Sequence, residues 1–208
     1  MAATTAEGVP DWKRGESTGW LTGEYMMHPR CARERQRGRR GVQDGRATEI
    51  TRLIGRSLRS AVDLGRLGAR TIIVDCDVLD ADGGTRTASV TGGMVATAIA
   101  LDSLRKRGLV AKGVIHTLVS AISVGLIDGI PVLDLDYFED TKAVVDLNVV
   151  ATEDGRIVEL QGTAEGPPIA RADLDAMVSL ALSAMPALAS AQREAIARAG
   201  VDLTKLLA

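Results

Sequence analysis

A chain of 208 residues, 46% of them apolar and 25% charged, is long enough to bury one core without help from disulfides or a structural metal. Its two cysteines stand apart, Cys31 in an arginine-rich stretch and Cys76 in an apolar run, which argues against a disulfide framework and for a reducing compartment. The net charge of −2 hides an asymmetry: residues 30–46 hold seven arginines against two acids, a local +5, leaving −7 for the remainder. Concentrated arginine on an otherwise acidic chain suits a surface that meets phosphates, because the guanidinium fork matches phosphate oxygens; a solvated loop explains the run equally well.

The opening residues lack the basic-then-apolar pattern of a secretory signal. Residues 8–46, rich in Gly and Arg, show no sustained period and read as irregular structure with short strands. Three of the five aromatic residues lie here, and Trp12, Trp20 and Tyr25 could offer faces for bases. Anchoring the loop to the core is the simpler role for Trp20.

From Thr48 the pattern turns helical, with Ile50, Leu53, Ile54, Leu58, Ala61 and Val62 on one face and Arg52, Arg56 and Arg59 on others. Residues 71–78 predict a strand with Ile72, Val74, Cys76 and Val78 on one side and Asp75 and Asp77 on the other. Gly83 and Gly84 precede a second helix over residues 87–106, whose small residues permit close packing on a sheet, with Gly108 at its end. Residues 114–126 and 132–137 predict a hairpin about Asp128-Gly129, and residues 144–151 and 156–161 a second about Glu153-Asp154-Gly155. A long C-terminal helix is marked by Leu174, Met177, Val178, Ala181, Met185 and Leu188, with a kink expected near Pro186. Within it, the uncharged stretch 176–192 falls short of the ~20 strongly apolar residues of a spanning helix, so a soluble, cytoplasmic protein is expected. Helices mixed with hairpins predict an α+β domain rather than a doubly wound parallel sheet.

Two constellations could carry chemistry. Asp82-Gly83-Gly84-Thr85-Arg86-Thr87 leads from a strand into a helix, where free N–H groups, a hydroxyl and a guanidinium suit an anion. It is neither a P-loop nor a dinucleotide fingerprint, and a Gly-Gly turn beside an incidental arginine accounts for it as well. Arg46 stands at the start of the preceding helix, so the two helix starts could converge on one phosphate. The second constellation is Asp134, Asp136, Glu139, Asp140 and Asp146. Asp134 and Asp136 read as one strand face, Asp140 as part of a turn and Asp146 as the start of the next strand. One or two carboxylates suffice for Mg²⁺ or Mn²⁺, but an ordinary acidic hairpin has the same spacing. His28 and His116 are isolated and lack zinc-ligand spacing.

Taken in order, these segments resemble the ribonuclease PH family. The matching stretches are Glu7-Gly8-Val9-Pro10, Gly19-Trp20-Leu21-Thr22, Glu24-Tyr25, Arg46 with Glu49-Ile50, Arg52-Leu53-Ile54-Gly55-Arg56, Asp75-Cys76-Asp77-Val78-Leu79 and Ala81 through Thr87. They continue through Ser123-Val124-Gly125, Asp134-Leu135-Asp136-Tyr137, Glu139-Asp140, Asp146-Leu147-Asn148-Val149-Val150, Glu153-Asp154-Gly155-Arg156 and Gln161 to Gly166. The resemblance implies a single ribonuclease PH-like α+β domain over residues 1–208, with mixed β-sheets packed against α-helices. It also implies a homohexamer built as a trimer of dimers. The implied activity is a phosphorolytic 3′-5′ exoribonuclease that trims tRNA precursors with inorganic phosphate and releases nucleoside diphosphates. Residue by residue, the resemblance implies that Arg46, Gly84, Thr85 and Arg86 hold phosphate and that Asp140 and Asp146 are catalytic and hold Mg²⁺ or Mn²⁺. It places Arg30, Arg33, Arg35 and Arg37 in the RNA-binding region. Family members carry further residues ahead of Glu7, including an opening strand pair, so the chain is expected to lack that segment and its sheet to lack strands. A non-catalytic RNA-binding or scaffold subunit of the same fold is the alternative.

Overall fold

The computed structural model describes residues 1–32 and 45–208. In chain order the elements are β1 (Ala2–Glu7), β2 (Trp20–Met27), α1 (Gly45–Ala61), α2 (Leu64–Leu67), β3 (Arg70–Val78), α3 (Thr85–Lys106), β4 (Val119–Ile127), β5 (Ile130–Leu133), α4 (Tyr137–Asp140), β6 (Val145–Thr152), β7 (Ile157–Ala164) and α5 (Arg171–Arg198). They form the expected α+β arrangement of two mixed or antiparallel sheets packed with helices. One sheet has the order β1-β3-β2, with β1 antiparallel and β2 parallel to β3; the other, β5-β4-β6-β7, is antiparallel throughout.

Residues 2–7 form β1, registered from Ala2 opposite Asp75 to Glu7 opposite Arg70. β2 is an eight-residue strand within residues 8–46, which read as irregular with short strands at best. Its inward positions are Leu21, Gly23 and Tyr25, and the glycine conceals the alternation. Gly23 is required because a Cβ there would stand 2.5 Å from Cγ2 of Ile54 on α1. A two-residue hairpin turn at Asp128-Gly129, both with positive φ, joins β4 and β5 as expected. The predicted strand 114–126 is shorter at its start: Val114, Ile115, Thr117 and Leu118 are buried and His116 is exposed, but pairing there consists of isolated bridges from Ile115 to Val62 and Leu207.

Two apolar clusters share the second sheet. On one face, Ala121 and Val150 join a core built from α1, α3, β2 and β3, including Leu21, Ile54, Leu58, Ile72, Val74, Met94 and Leu101. On the other face, Ile122, Val124, Leu126, Leu147 and Val149 receive Met177, Ala181 and Met185 of α5. Both faces of β4 and β6 are therefore covered, which explains their near-continuous apolar sequences. α3 runs between the sheets and touches β1, β3, β4, α1 and α5, so it needs small or apolar residues on all sides. α3 and α5 are both long and apolar enough to cross a membrane by length and composition, which corrects the reading of residues 176–192 as too short. α3 is mostly core, and α5 rests one face on the sheet with Pro186 inside it.

Candidate active site

The functional face of the second sheet is fixed by period two. Leu147 points to α5, so Asp146 and Asn148 point the other way, toward the starts of α1 and α3. Register carries the row sideways: Asn148 stands opposite Ser123 on β4 and Gln161 on β7, and Asp146 opposite Gly125 and Thr163. The Asn148 amide donates to both carboxylate oxygens of Asp146, at 3.4 and 3.2 Å.

Gln161 ties this face to the helix starts. Nη1 of Arg86 donates to Gln161 Oε1 at 3.0 Å and to Glu49 Oε1, in the second turn of α1, at 3.2 Å. Both bonds use one guanidinium nitrogen, so they orient the fork without consuming its Nε and Nη2 donors. Arg46 stands in the first turn of α1, three residues before Glu49, and α1 packs on α3. At the α3 start, Gly84 is left-handed at φ 63°, a conformation natural to glycine, and Thr85 Oγ1 lies 2.8 Å from the hydroxyl of buried Tyr25. Gly83 is excluded from being anything larger, since a Cβ would stand 1.9 Å from the Leu135 carbonyl oxygen.

The acidic segment packs against this loop. Asp134 is not on a strand face; it follows β5 with φ 58°, its N–H donating to the Ser123 carbonyl. Asp136 is likewise off the strand and caps α4, accepting from the Glu139 N–H while Glu139 accepts from the Asp136 N–H. Local capping by these short carboxylates won over continuation of the strand. Asp82 then accepts from the Tyr137 N–H at 2.9 Å, fastening α4 to the glycine loop. Asp140 ends α4, close enough to Asp146 for its charge to act on it. Burial, then the Asp140 charge, pushes the Asp146 carboxyl above the usual range, while Arg86 and the Asn148 hydrogen bond pull the other way and Glu165 adds to the rise.

Thus Gly84, Thr85, Arg86, Asp140 and Asp146 are brought near one another, with Arg46 in the first turn of the helix that carries Glu49. Arg33, Arg35 and Arg37 lie outside the described residues; Arg30 is exposed on the loop beside residues 78–81, held by His28 N–H to Val78 O and Ala81 N–H to Cys31 O. Sequence reasoning assigned no role to Glu49, Gln161, Asn148 or Ser123. The hairpin register about Gly155 held the signal for Gln161, because it sets that residue beside Asn148. Trp20 has the anchoring role: its ring lies between Trp12, 4.8 Å away edge-on, and the Arg59 guanidinium at 4.3 Å. Both cysteines are buried and free, and burial pushes the Cys76 thiol up to about 11.

Among the described residues no group of three or more His, Cys, Asp or Glu side chains could hold a metal ion. Two neighbouring carboxylates, Asp140 and a half-buried Asp146, are a donor set that a hard divalent cation completed by water and phosphate oxygens fits.

The 3′ exoribonuclease family model for domain 1 matches residues 1–101, and that for domain 2 matches residues 117–184. Ribonuclease PH of Parasynechococcus marenigrum (strain WH8102) is 52% identical over 193 residues, which cover 93% of this chain and 78% of that protein. Among solved structures, one of the Archaeoglobus fulgidus exosome with RNA bound to the active site aligns with a TM-score of 0.70 at 18% identity, over 92% of this chain and 76% of its own. Rice (Oryza sativa) Rrp46 aligns with a TM-score of 0.68 at 17% identity, over 94% and 82% of the two chains. At those identities the structures show a shared fold alone. The two family matches and the identity to ribonuclease PH go further: this chain belongs to the 3′ exoribonuclease family.

Proposed function

We propose that the chain shortens RNA from its 3′ end by phosphorolysis, acting as a phosphate-dependent nucleotidyltransferase of the ribonuclease PH type on tRNA precursors. The observation that carries the reading is Arg86, held by Glu49 and Gln161 between the two helix starts and the Asp140–Asp146 pair. Inorganic phosphate fits the Arg86 fork, the N–H groups at the start of α3, the Thr85 hydroxyl and Arg46. One of its oxygens attacks the phosphorus of the last phosphodiester bond. The 3′-oxygen of the preceding nucleotide leaves and takes up a proton, and a nucleoside diphosphate departs. Asp140 and Asp146 are the residues that would hold Mg²⁺ or Mn²⁺, which supplies positive charge to a transferring phosphoryl group when bound. The protein's part is positioning and charge stabilisation. Arg30, with the neighbouring Arg33, Arg35 and Arg37, suits the RNA backbone ahead of the site. We read residues 1–208 as one working domain, since Arg86 and Glu49 from one half and Gln161 and Asp146 from the other build a single site. A homohexamer and a cytoplasmic location complete the proposal.

The test is product analysis. A 3′-extended tRNA transcript incubated with phosphate and Mg²⁺ is expected to yield nucleoside diphosphates in proportion to phosphate, and Asp146→Asn to lower the rate about a hundredfold or more. Monophosphates formed without phosphate dependence would overturn the reading. Equal activity of Asp146→Asn and the parent would favour a scaffold subunit.

A further inference from the structure

Two of the chain's five aromatic residues, Tyr137 and Phe138, stand 57% and 55% exposed in the first turn of α4, with ring centroids 5.8 Å apart and the rings edge to face. Exposing large rings is costly in water, and here the exposure is built in. The Asp136–Glu139 capping box sets the helix start, and Asp82 takes the Tyr137 N–H, so the backbone that carries the rings is fixed to the glycine loop. Tyr137 precedes Asp140 by three residues, which places both on one side of a single helical turn, about 4.5 Å apart along its axis. On the other side of the Asp82 loop runs the segment that carries Arg30. The rings thus stand on the same short helix as Asp140, whose backbone is tied to the Asp82 loop that also meets the segment carrying Arg30.

We propose that Tyr137, braced by Phe138, is a stacking ledge for one of the last bases at the RNA 3′ end. This rests on the phosphorolysis reading above, and it adds a contact which that reading does not use. An exonuclease that removes successive nucleotides must grip bases of every identity. A π-face does so, because all four bases present one, whereas hydrogen-bond readout would favour particular sequences. The ledge sets the register of the chain end, so that the last phosphodiester lies at Asp140 and Asp146 when a base rests on Tyr137.

The test compares the parent, Tyr137→Ala and Tyr137→Phe on a short RNA and on versions carrying one abasic ribose at each of the last few 3′ positions. Because Asp82 holds the Tyr137 backbone rather than its ring, the substitutions leave that tie intact. Tyr137→Ala is expected to raise KM for RNA between about fivefold and a hundredfold. KM for phosphate should stay within twofold, and Tyr137→Phe should restore the parent value. At one abasic position, parent and Tyr137→Ala should become equal, which names the stacked base. An unchanged KM for RNA, a failure of Tyr137→Phe to restore it, or no abasic position that equalises the two proteins would each overturn the ledge. RNA affinity measured by fluorescence anisotropy without phosphate separates this from the proposed activity. If the parent releases no nucleoside diphosphate, phosphorolysis fails, while an affinity loss in Tyr137→Ala that vanishes on an abasic RNA still sustains the ledge, and equal affinities sink it.

Discussion

At Gly83 the site depends on the absence of a single carbon. A Cβ would sit 1.9 Å from the Leu135 carbonyl oxygen, a backbone atom that cannot swing aside, so the loop and the acidic segment would have to separate. Gly83→Ala is expected to cost about 1–3 kcal/mol in chemical denaturation and to reduce nucleoside diphosphate release more than it reduces stability, since it parts Asp140 from Thr85 and Arg86. Gly84 differs in kind: its left-handed backbone, rather than lack of space, favours glycine, because the nearest atom to a Cβ there is Thr87 Oγ1 at 3.3 Å. Asp146 illustrates a third kind of constraint, in which Asn148 and Arg86 offset the burial and the Asp140 charge that work against its ionised form.

Within α3, one helix serves two purposes at its two ends. Its start presents N–H groups at the proposed phosphate position, and near its end it buries Asp102, which takes Arg105 and Lys106 as partners at 2.7 Å each. Burial works to raise the Asp102 carboxyl, but the hydrogen bonds and charges of Lys106 and Arg105 outweigh it and hold the group below its usual range. A carboxyl depressed in the folded state adds stability above its unfolded pKa and loses that contribution as pH falls through the folded value. Asp102→Asn is therefore expected to destabilise by about 1–3 kcal/mol at neutral pH, with parent and variant converging below about pH 4 in urea titrations. The same helix was legible from its small and apolar residues, although its start lies at Thr85 rather than Thr87. α4 was not legible, because a four-residue turn has no period to detect and its cap, Asp136, read as part of a strand.

Across the whole molecule, Arg86 to Gln161 and Arg56 to Glu159 link the first helices to β7, at 3.0 and 2.7 Å. Phosphate bound between these halves, as proposed, would stabilise the folded state by mass action, by about 2.7 kcal/mol at a hundred times Kd. The melting temperature is expected to rise by roughly 5–10 °C in saturating phosphate relative to chloride of equal ionic strength, and Arg86→Ala to remove that rise. A rise that persists in Arg86→Ala would place phosphate elsewhere.

The sequence by itself determined the α+β class, both hairpins, the long helices and the two separate constellations that the fold brings together, because period, turn chemistry and motif order are local properties. It concealed β2, whose Gly23 interrupts the alternation only because Ile54 of α1 needs the room. Only the tertiary structure decided how the two constellations meet. Sheet register puts Gln161 beside Asn148, and the packing of α1 on α3 puts Glu49 within reach of Arg86. These are contacts between residues 37 and 75 positions apart, set by which side chains the two sheets turn toward each other and invisible to any local pattern.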